Sequence, residues 1–354
     1  MSPSGTFVLG ALLVLAAALV AALFLFNLLH RRADARAADV RRRLEPMLAG
    51  WRDRPAAPEE VAWLGALSAT DGRTALVAAL DALPGLEPEA GERLRLVLRR
   101  SGLAGSAMAG LTHRSPARRA AACRIAGRLG GPEAVPRLLE RLEDSSPAVR
   151  CEAIRALGDL RAVETVDRIA AAIEAIGEWH NLLLVMALVR MGPESAARVG
   201  ALLATSGSPG MTKALLQVTG RIGVAADPAL IRSLAAHPEP EVRVEAVRAL
   251  GAVAPDAVSA AVCTGAMDDP EWPVRALAAW ALGRVGDDRA LARLERAMGD
   301  PAYWVRHHVA IAMAALGARG EDALRRGLVH DNPFVRDMAA QTLFMRALAE
   351  GEAA

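Results

Sequence analysis

Seven histidines, at positions 30, 113, 180, 237, 307, 308 and 330, are the first residues here that could do chemistry. Paired three or four residues apart on one helix face, they would hold a metal or exchange a proton. No His-Glu-x-x-His or His-x-x-x-His spacing occurs. The adjacent pair His307 and His308 would diverge by about 100° on a helix, which prevents joint chelation. Cysteines 123, 151 and 263 form no Cys-x-x-Cys, which argues against a thiolate zinc site or a disulfide framework and agrees with a reducing compartment. The glycine-rich turn 127–131 follows no strand, and no Gly-x-x-x-x-Gly-Lys-Ser/Thr exists to cradle a phosphate. The expectation is no catalytic residue, no cofactor and no metal. The chain reads as a binding protein before an enzyme.

Two other residue classes could bind rather than react. Arginine supplies 41 of the 42 basic residues, and Arg137, Arg168, Arg198, Arg232, Arg293 and Arg325 recur at nearly regular spacing. Such a row could meet phosphate or an acidic peptide. Arg137, Arg168 and Arg293 are candidate partner-binding residues. Acids such as Glu140, Glu143, Asp167 and Glu295 stand beside the row, and beyond residue 54 the charge is slightly negative. Nucleic acid is therefore the least favoured partner. The chain has only 12 aromatic residues. Trp179, Trp272, Tyr303, Trp304 and Phe334 all fall at the first positions of expected helices. Along one edge they would either anchor a partner or staple the helix entries. The run Leu182–Val189, apolar on every side, is a second candidate interaction spot.

These residues are positioned by a repeat. Val-Arg pairs fall at 149–150, 242–243, 274–275, 305–306 and 335–336, spaced by 93, 32, 31 and 30 residues. The first gap is three periods of 31, filled by degenerate copies near Glu178 and Pro209. Pro147–Gly158, Pro240–Gly251 and Trp272–Gly283 are close copies. Each unit reads as two short helices around a Gly-containing turn, with Asp144, Asp300 and Asp331 as N-cap candidates before the first helix. Neither helix can bury its apolar stripe alone, so neighbouring units must stack. Seven units and a terminal half run from about 116 to 349. Apolar residues make up 53% of the chain, mostly Ala, Leu and Val, and the small ones suit close helix approach.

The pattern Asp-x-x-Pro-x-Val-Arg-x-x-Ala-x-x-Ala-Leu-Gly resembles HEAT repeats of the short type found in phycobilisome-lyase-like proteins, over roughly two thirds of the chain. The resemblance implies an all-α, HEAT-type α-solenoid. It also implies a structural ladder of turn acids and first-helix arginines: Asp144, Arg150, Arg243, Asp269, Arg275, Asp300, Arg306 and Arg336. Asn181 and Thr212 interrupt it. Deoxyhypusine hydroxylase, an iron-dependent HEAT enzyme family, binds its metal through His-Glu dipeptides, and this sequence has none.

Residues 7–29 carry no charge and form a stretch long enough to span about 30 Å of hydrocarbon as one transmembrane helix. Residues 1–6 are a short tail without the positive charge of a signal peptide. Residues 30–54 hold eight arginines against four acids. This collar puts the remainder in the cytoplasm, with the N-terminus outside the inner membrane. Its arginines either set orientation alone or also attract anionic lipid. Residues 55–115 read as degenerate helical pairs capping the solenoid, and 116–354 as the repeats. The expected function is a membrane-anchored scaffold that binds a protein partner. The alternative, by analogy with the lyase relatives, is an accessory lyase- or chaperone-like factor for a cofactor-bearing protein.

Overall fold

The computed structural model describes residue 24 and residues 31–32, 34–131, 133–177, 180–286 and 288–352. Among these there are helices and short 3-10 turns, and no β-strand. The chain divides into two compact units, residues 1–137 and 138–354.

The first unit contains α1 (34–50), α2 (Pro58–Gly65), α3 (Ala69–Ala82), α4 (Pro88–Arg100), α5 (Leu103–Ala109) and α6 (Pro116–Leu129). The division from the second unit falls within α7 (Ala134–Arg141). The arginine-rich collar is largely α1. Its Val40 and Leu44, four residues apart, lie on the face that also leads to Trp51, and all three are buried with Leu64, Leu80 and Leu98 in one core. Each such side chain contributes roughly 1.5–3 kcal/mol of burial. Arg36, Arg41, Arg42 and Arg43 are exposed. Below α1 the chain is fastened by Glu60. Its carboxylate accepts from the Trp51 indole (2.9 Å), from Arg54 Nη2 (2.6 Å) and from the Ala57 backbone N–H (2.7 Å). The hydrogen bond from Arg54 is the largest influence on Glu60. Together with those from Trp51 and Ala57 it outweighs burial and holds the carboxyl at about 2.

The second unit is an α-solenoid of paired helices. It comprises α8 (Pro147–Asp159), α9 (Val166–Ile176), α10 (Asn181–Met191), α11 (Ala196–Thr205), α12 (Pro209–Ile222), α13 (Pro228–Leu234), α14 (Pro240–Val253), α15 (Ala257–Ala266), α16 (Trp272–Val285), α17 (Leu291–Ala297), α18 (Tyr303–Ala315), α19 (Ala318–Gly327) and α20 (Pro333–Glu352). The even-numbered helices are the first helices of successive repeats, and each packs on the next first helix along the stack. Their residues Val149, Ala153, Leu157, Val242, Ala246, Leu250, Val274, Ala278, Leu282, Val305 and Val309 are completely buried, which is the apolar stripe of the repeat. Close approach is set by glycine. A Cβ built on Gly283 would lie 2.7 Å from the Ala312 Cα, and one on Gly251 2.9 Å from the Ala281 Cα. Alanine opposite glycine lets the two backbones touch, which explains the small-residue composition.

Among the described residues no helix is long and apolar enough to cross a membrane. The span expected over 7–29 lies, apart from Phe24, outside the described residues.

Candidate functional site

One position organises the turn before the first helix in most repeats. In the second unit it is occupied by Asp144, His237, Asp269, Asp300 and His330, and its side chain accepts the backbone N–H two residues on. The acceptors are Asp144 Oδ1 for Ser146 (2.9 Å), Asp269 Oδ1 for Glu271 (2.9 Å) and Asp300 Oδ1 for Ala302 (2.8 Å). His237 Nδ1 does the same for Glu239 and His330 Nδ1 for Asn332, both at 3.0 Å. Within the first unit His113 Nδ1 accepts from Ser115 (2.9 Å). The acids are therefore not helix N-caps as the sequence suggested. Pro147 takes the first helical position of α8 and leaves Ser146 as N-cap; likewise Ala302 precedes α18. Asp331 is displaced by one residue, and at the entry to α20 Asn332 Oδ1 instead accepts the Phe334 N–H (2.9 Å).

Six residues after this position stands an arginine whose Nη1 is turned back onto the turn carbonyls. Arg243 donates to His237 (3.0 Å) and Pro238 (2.9 Å), and Arg275 to Asp269 (2.9 Å) and Pro270 (3.0 Å). Arg306 donates to Asp300 (2.6 Å) and Pro301 (3.0 Å), and Arg336 to His330 (2.7 Å) and Asp331 (2.8 Å). Arg150 reaches the Asp144 carbonyl at 2.7 Å. The other edge of the guanidinium points to the next turn. Arg243 Nε and Nη2 hold Asp269 at 2.7 and 2.9 Å, and Arg275 holds Asp300 at 2.8 and 3.0 Å. Burial opposes ionisation of Asp269 and Asp300. The arginine hydrogen bonds, the turn N–H groups and the arginine charges outweigh it, so both carboxyls lie below their ordinary value. In α8 and α18 the Nε atoms of Arg150 and Arg306 are buried without a hydrogen-bond partner.

The aromatic residues stand at the starts of the same helices. Trp272 opens α16, Tyr303 and Trp304 open α18, and Phe334 is the second residue of α20. About half the surface of each is exposed: 45, 45, 52 and 54% respectively. Tyr303 and Trp304 meet edge to face at 5.3 Å, and His307 stacks on Tyr303 at 5.9 Å. Burial, followed by the neighbouring charge of His308, lowers the His307 pKa. The Arg306 guanidinium lies 4.5 Å from the Phe334 ring centre and 5.9 Å from that of Tyr303. Trp179 lies outside the described residues. On α10, Leu182 and Met186 are exposed while Leu183, Leu184, Val185 and Leu188 are buried, so most of that apolar run fills the core.

The second-helix arginines are occupied by neighbours within the unit. Arg168 Nη2 pairs with Glu143 Oε1 at 2.7 Å, Arg198 with Asp167, and Arg232 with Asp256. Arg293 bonds Asp268 and the Met267 carbonyl, the latter at 2.9 Å. Arg137, in the first unit, is exposed. A groove of about 420 Å³ lined by Arg232, Arg243, Asp268 and Asp269 therefore has its charges already paired. Among the described residues no three His, Cys, Asp or Glu side chains converge as a metal-holding group.

A sequence model of HEAT repeats matches residues 106–178 and 227–314. These segments are HEAT repeats. They include the turns and arginines of α8, α14, α16 and α18. Among solved structures, a crystal structure of importin beta is similar at a TM-score of 0.51 and 12% identity, over 88% of this chain and 47% of that one. The chain thus spans about half the length of importin beta, and at this identity the likeness concerns the fold alone. A crystal structure of an engineered protein has 19% identity and a TM-score of 0.39, covering 88% of this chain and 95% of that one. No curated protein matches the chain in sequence.

Two features of the site escaped the sequence reading. The histidines at 113 and 330 stand in register with the turn acids, as His237 does, and only the period of the repeat could have revealed their shared task. Trp51 lies beyond an arginine-rich stretch, yet the spacing Val40, Leu44, Leu48, Trp51 is a helical apolar stripe that could have exposed it.

Proposed function

We propose that the protein is a membrane-tethered scaffold that holds a protein partner on the exposed aromatic edge of its HEAT solenoid. The observation that carries this reading is that edge: Trp272, Tyr303, Trp304 and Phe334, half exposed at the same end of three consecutive first helices. Large rigid side chains at matched positions give binding area at low entropic cost, and aromatic residues dominate binding hot spots. The pairing of the second-helix arginines supports a protein partner over nucleic acid, since their charges are spent within the fold. Residues 7–29 provide the tether by their length and lack of charge, and the arginines that follow orient the solenoid toward the cytoplasm. Tethering raises the effective concentration of the partner at the inner membrane.

The test is extraction of the tagged full chain in mild detergent, followed by identification of proteins that co-purify. The expected result is a partner that Trp304→Ala together with Phe334→Ala no longer retains. Retention of that partner by the double variant would sink the edge assignment. A C-terminal reporter active only outside the cytoplasm would reverse the orientation, and recovery of the intact chain in the soluble fraction would remove the tether.

A further inference from the structure

The exposed aromatic edge carries a charge that narrows what it can bind. The same eight positions of four repeats, counted from the turn residue, are 237–244, 269–276, 300–307 and 330–337. They contain seven acids against four arginines. All four arginines, Arg243, Arg275, Arg306 and Arg336, are turned back onto the carbonyls of their own turns. Asp269 and Asp300 are held by Arg243 and Arg275, and Glu241 by Lys213. The other four acids, Glu239, Glu271, Asp331 and Asp337, are exposed. Glu271 directly precedes Trp272, and Asp337 stands one helical turn after Phe334.

The stacking order α14, α16, α18, α20 gives this edge a layout. Glu239 and Glu271 stand toward one end, Asp331 and Asp337 toward the other, and Trp272, Tyr303, Trp304 and Phe334 among them. Helix dipoles favour acids at helix starts, but their reach ends within the first turn and Asp337 lies in the second. Dipoles also give no reason for indoles to stand half exposed. An acidic partner would be repelled here, and a neutral one would cover carboxylates without pairing them. We propose that the edge receives an extended basic segment of the bound protein. Its lysine or arginine stems lie across the Trp272, Trp304 and Phe334 rings, with the charged heads turned to the four exposed acids. Three steps between first helices, at about 8–10 Å each, make the row about 24–30 Å long. About eight or nine extended residues cover that length. This assignment rests on the scaffold reading and states the chemistry its partner must carry.

The probe is a fluorescein-labelled nine-residue peptide alternating arginine and serine, titrated into the detergent-solubilised full chain. Two companions carry glutamine or glutamate in place of arginine. The chain as a whole is formally +2, so unspecific attraction would not select the basic peptide. The arginine peptide is expected to bind tighter than the glutamine peptide by on the order of tenfold, and less tightly as salt is raised. Glu271→Gln/Asp331→Asn should remove most of that preference and flatten the salt dependence. Trp304→Ala/Phe334→Ala should weaken the arginine peptide to a similar extent. Glu174→Gln, which removes an exposed acid of the second helix α9, should change neither. All these side chains are exposed, so unchanged denaturation midpoints are expected and separate binding from folding. Equal binding of the arginine and glutamine peptides, tighter binding of the glutamate peptide, or an equal loss in Glu174→Gln overturns the proposal. A dimer mass in light scattering that Trp304→Ala/Phe334→Ala converts to a monomer would give the edge to a second copy and also overturn it. If a co-purifying partner is lost by the aromatic variant yet retained by Glu271→Gln/Asp331→Asn, the basic-segment assignment falls and the scaffold reading stands. If no partner co-purifies, the scaffold reading loses its support, and the peptide comparison still decides the chemistry of the edge.

Discussion

Arg275 and Asp300 are joined edge to edge, Nε to Oδ2 at 2.8 Å and Nη2 to Oδ1 at 3.0 Å, while Nη1 of the same arginine finishes the turn that begins at Asp269. One side chain thus closes its own repeat and fastens the next. Both partners are largely buried, with side-chain exposures of 16 and 10%. Removing one leaves the other as an unpaired charge in a poorly solvated place.

Asp300→Ala should therefore destabilise the solenoid by about 3 kcal/mol, and Arg275→Met by a similar amount. The double variant Arg275→Met/Asp300→Leu should recover much of the loss, because no stranded charge remains. Denaturant melts of the four proteins form a double-mutant cycle. Simple additivity of the two single losses would mean the pair contributes nothing as a pair.

The same carboxylates set the acid limit of the fold. Asp269 and Asp300 lie below their ordinary value, so they bind protons less readily folded than unfolded. Their contribution is complete above the unfolded value near about 4 and fades as pH falls through the lower folded value. The denaturation midpoint should be flat from about pH 6 to 5 and drop below about pH 4. Asp269→Asn/Asp300→Asn should start lower and fall less steeply. In the first unit Glu60, held at about 2, obeys the same sign, and its stabilisation is lost as pH falls toward 2. The fluorescence of the buried Trp51, whose indole donates to Glu60, follows that loss. A midpoint unmoved between pH 5 and 3 contradicts this account.

The thiols differ by burial. Cys123 and Cys263 are buried and Cys151 is partly exposed. Burial pushes the Cys263 thiol up to about 12, so almost none is thiolate at pH 8. A chromogenic disulfide reagent at pH 8 should titrate one thiol rapidly in the native protein and three in denaturant. Cys151→Ser should remove the fast phase. Rapid reaction of Cys263 in the folded chain would show that this part of the stack opens readily.

How far the sequence revealed all this follows from the physics of repeats. The Val-Arg pairs disclosed the stacking period because an identical burial problem recurs in every unit, and Val149, Val242, Val274 and Val305 are all completely buried. Composition could not show which arginines were spent. Arg168 and Arg293 read as members of a cationic row with acids such as Glu143 beside it. Which acid each one holds was not legible, because Glu143 and Asp268 lie 25 residues away and are brought close only by stacking. The exchange at the turn before α20 was invisible for the reverse reason. Asp331 stands where an acid seems to complete the pattern, but a spacing of one residue too many hands the turn position to His330. An aspartate and a histidine at this turn position accept the same backbone N–H, so local structure tolerates the exchange.

The last prediction concerns the closest helix contact. Gly158, Gly251 and Gly283 stand fourteen residues after Asp144, His237 and Asp269, and each faces an alanine of the next first helix. A Cβ on Gly283 would sit 2.7 Å from the Ala312 Cα and 2.9 Å from its Cβ, and neither can yield without moving a backbone. Helix propensity alone would make Gly283→Ala stabilising by about 1 kcal/mol. Overpacking at a backbone contact costs about 1–3 kcal/mol and acts on two helices at once, so it should win. Gly283→Ala is expected to lower stability, and Gly283→Ala/Ala312→Gly to restore most of it. At the corresponding position of the last repeat, fourteen residues after His330, stands Phe344, 63% exposed. Phe344→Ala should change stability by no more than about 0.5 kcal/mol. If Gly283→Ala proves stabilising in a denaturant melt, the backbone contact between α16 and α18 is not what sets the repeat spacing.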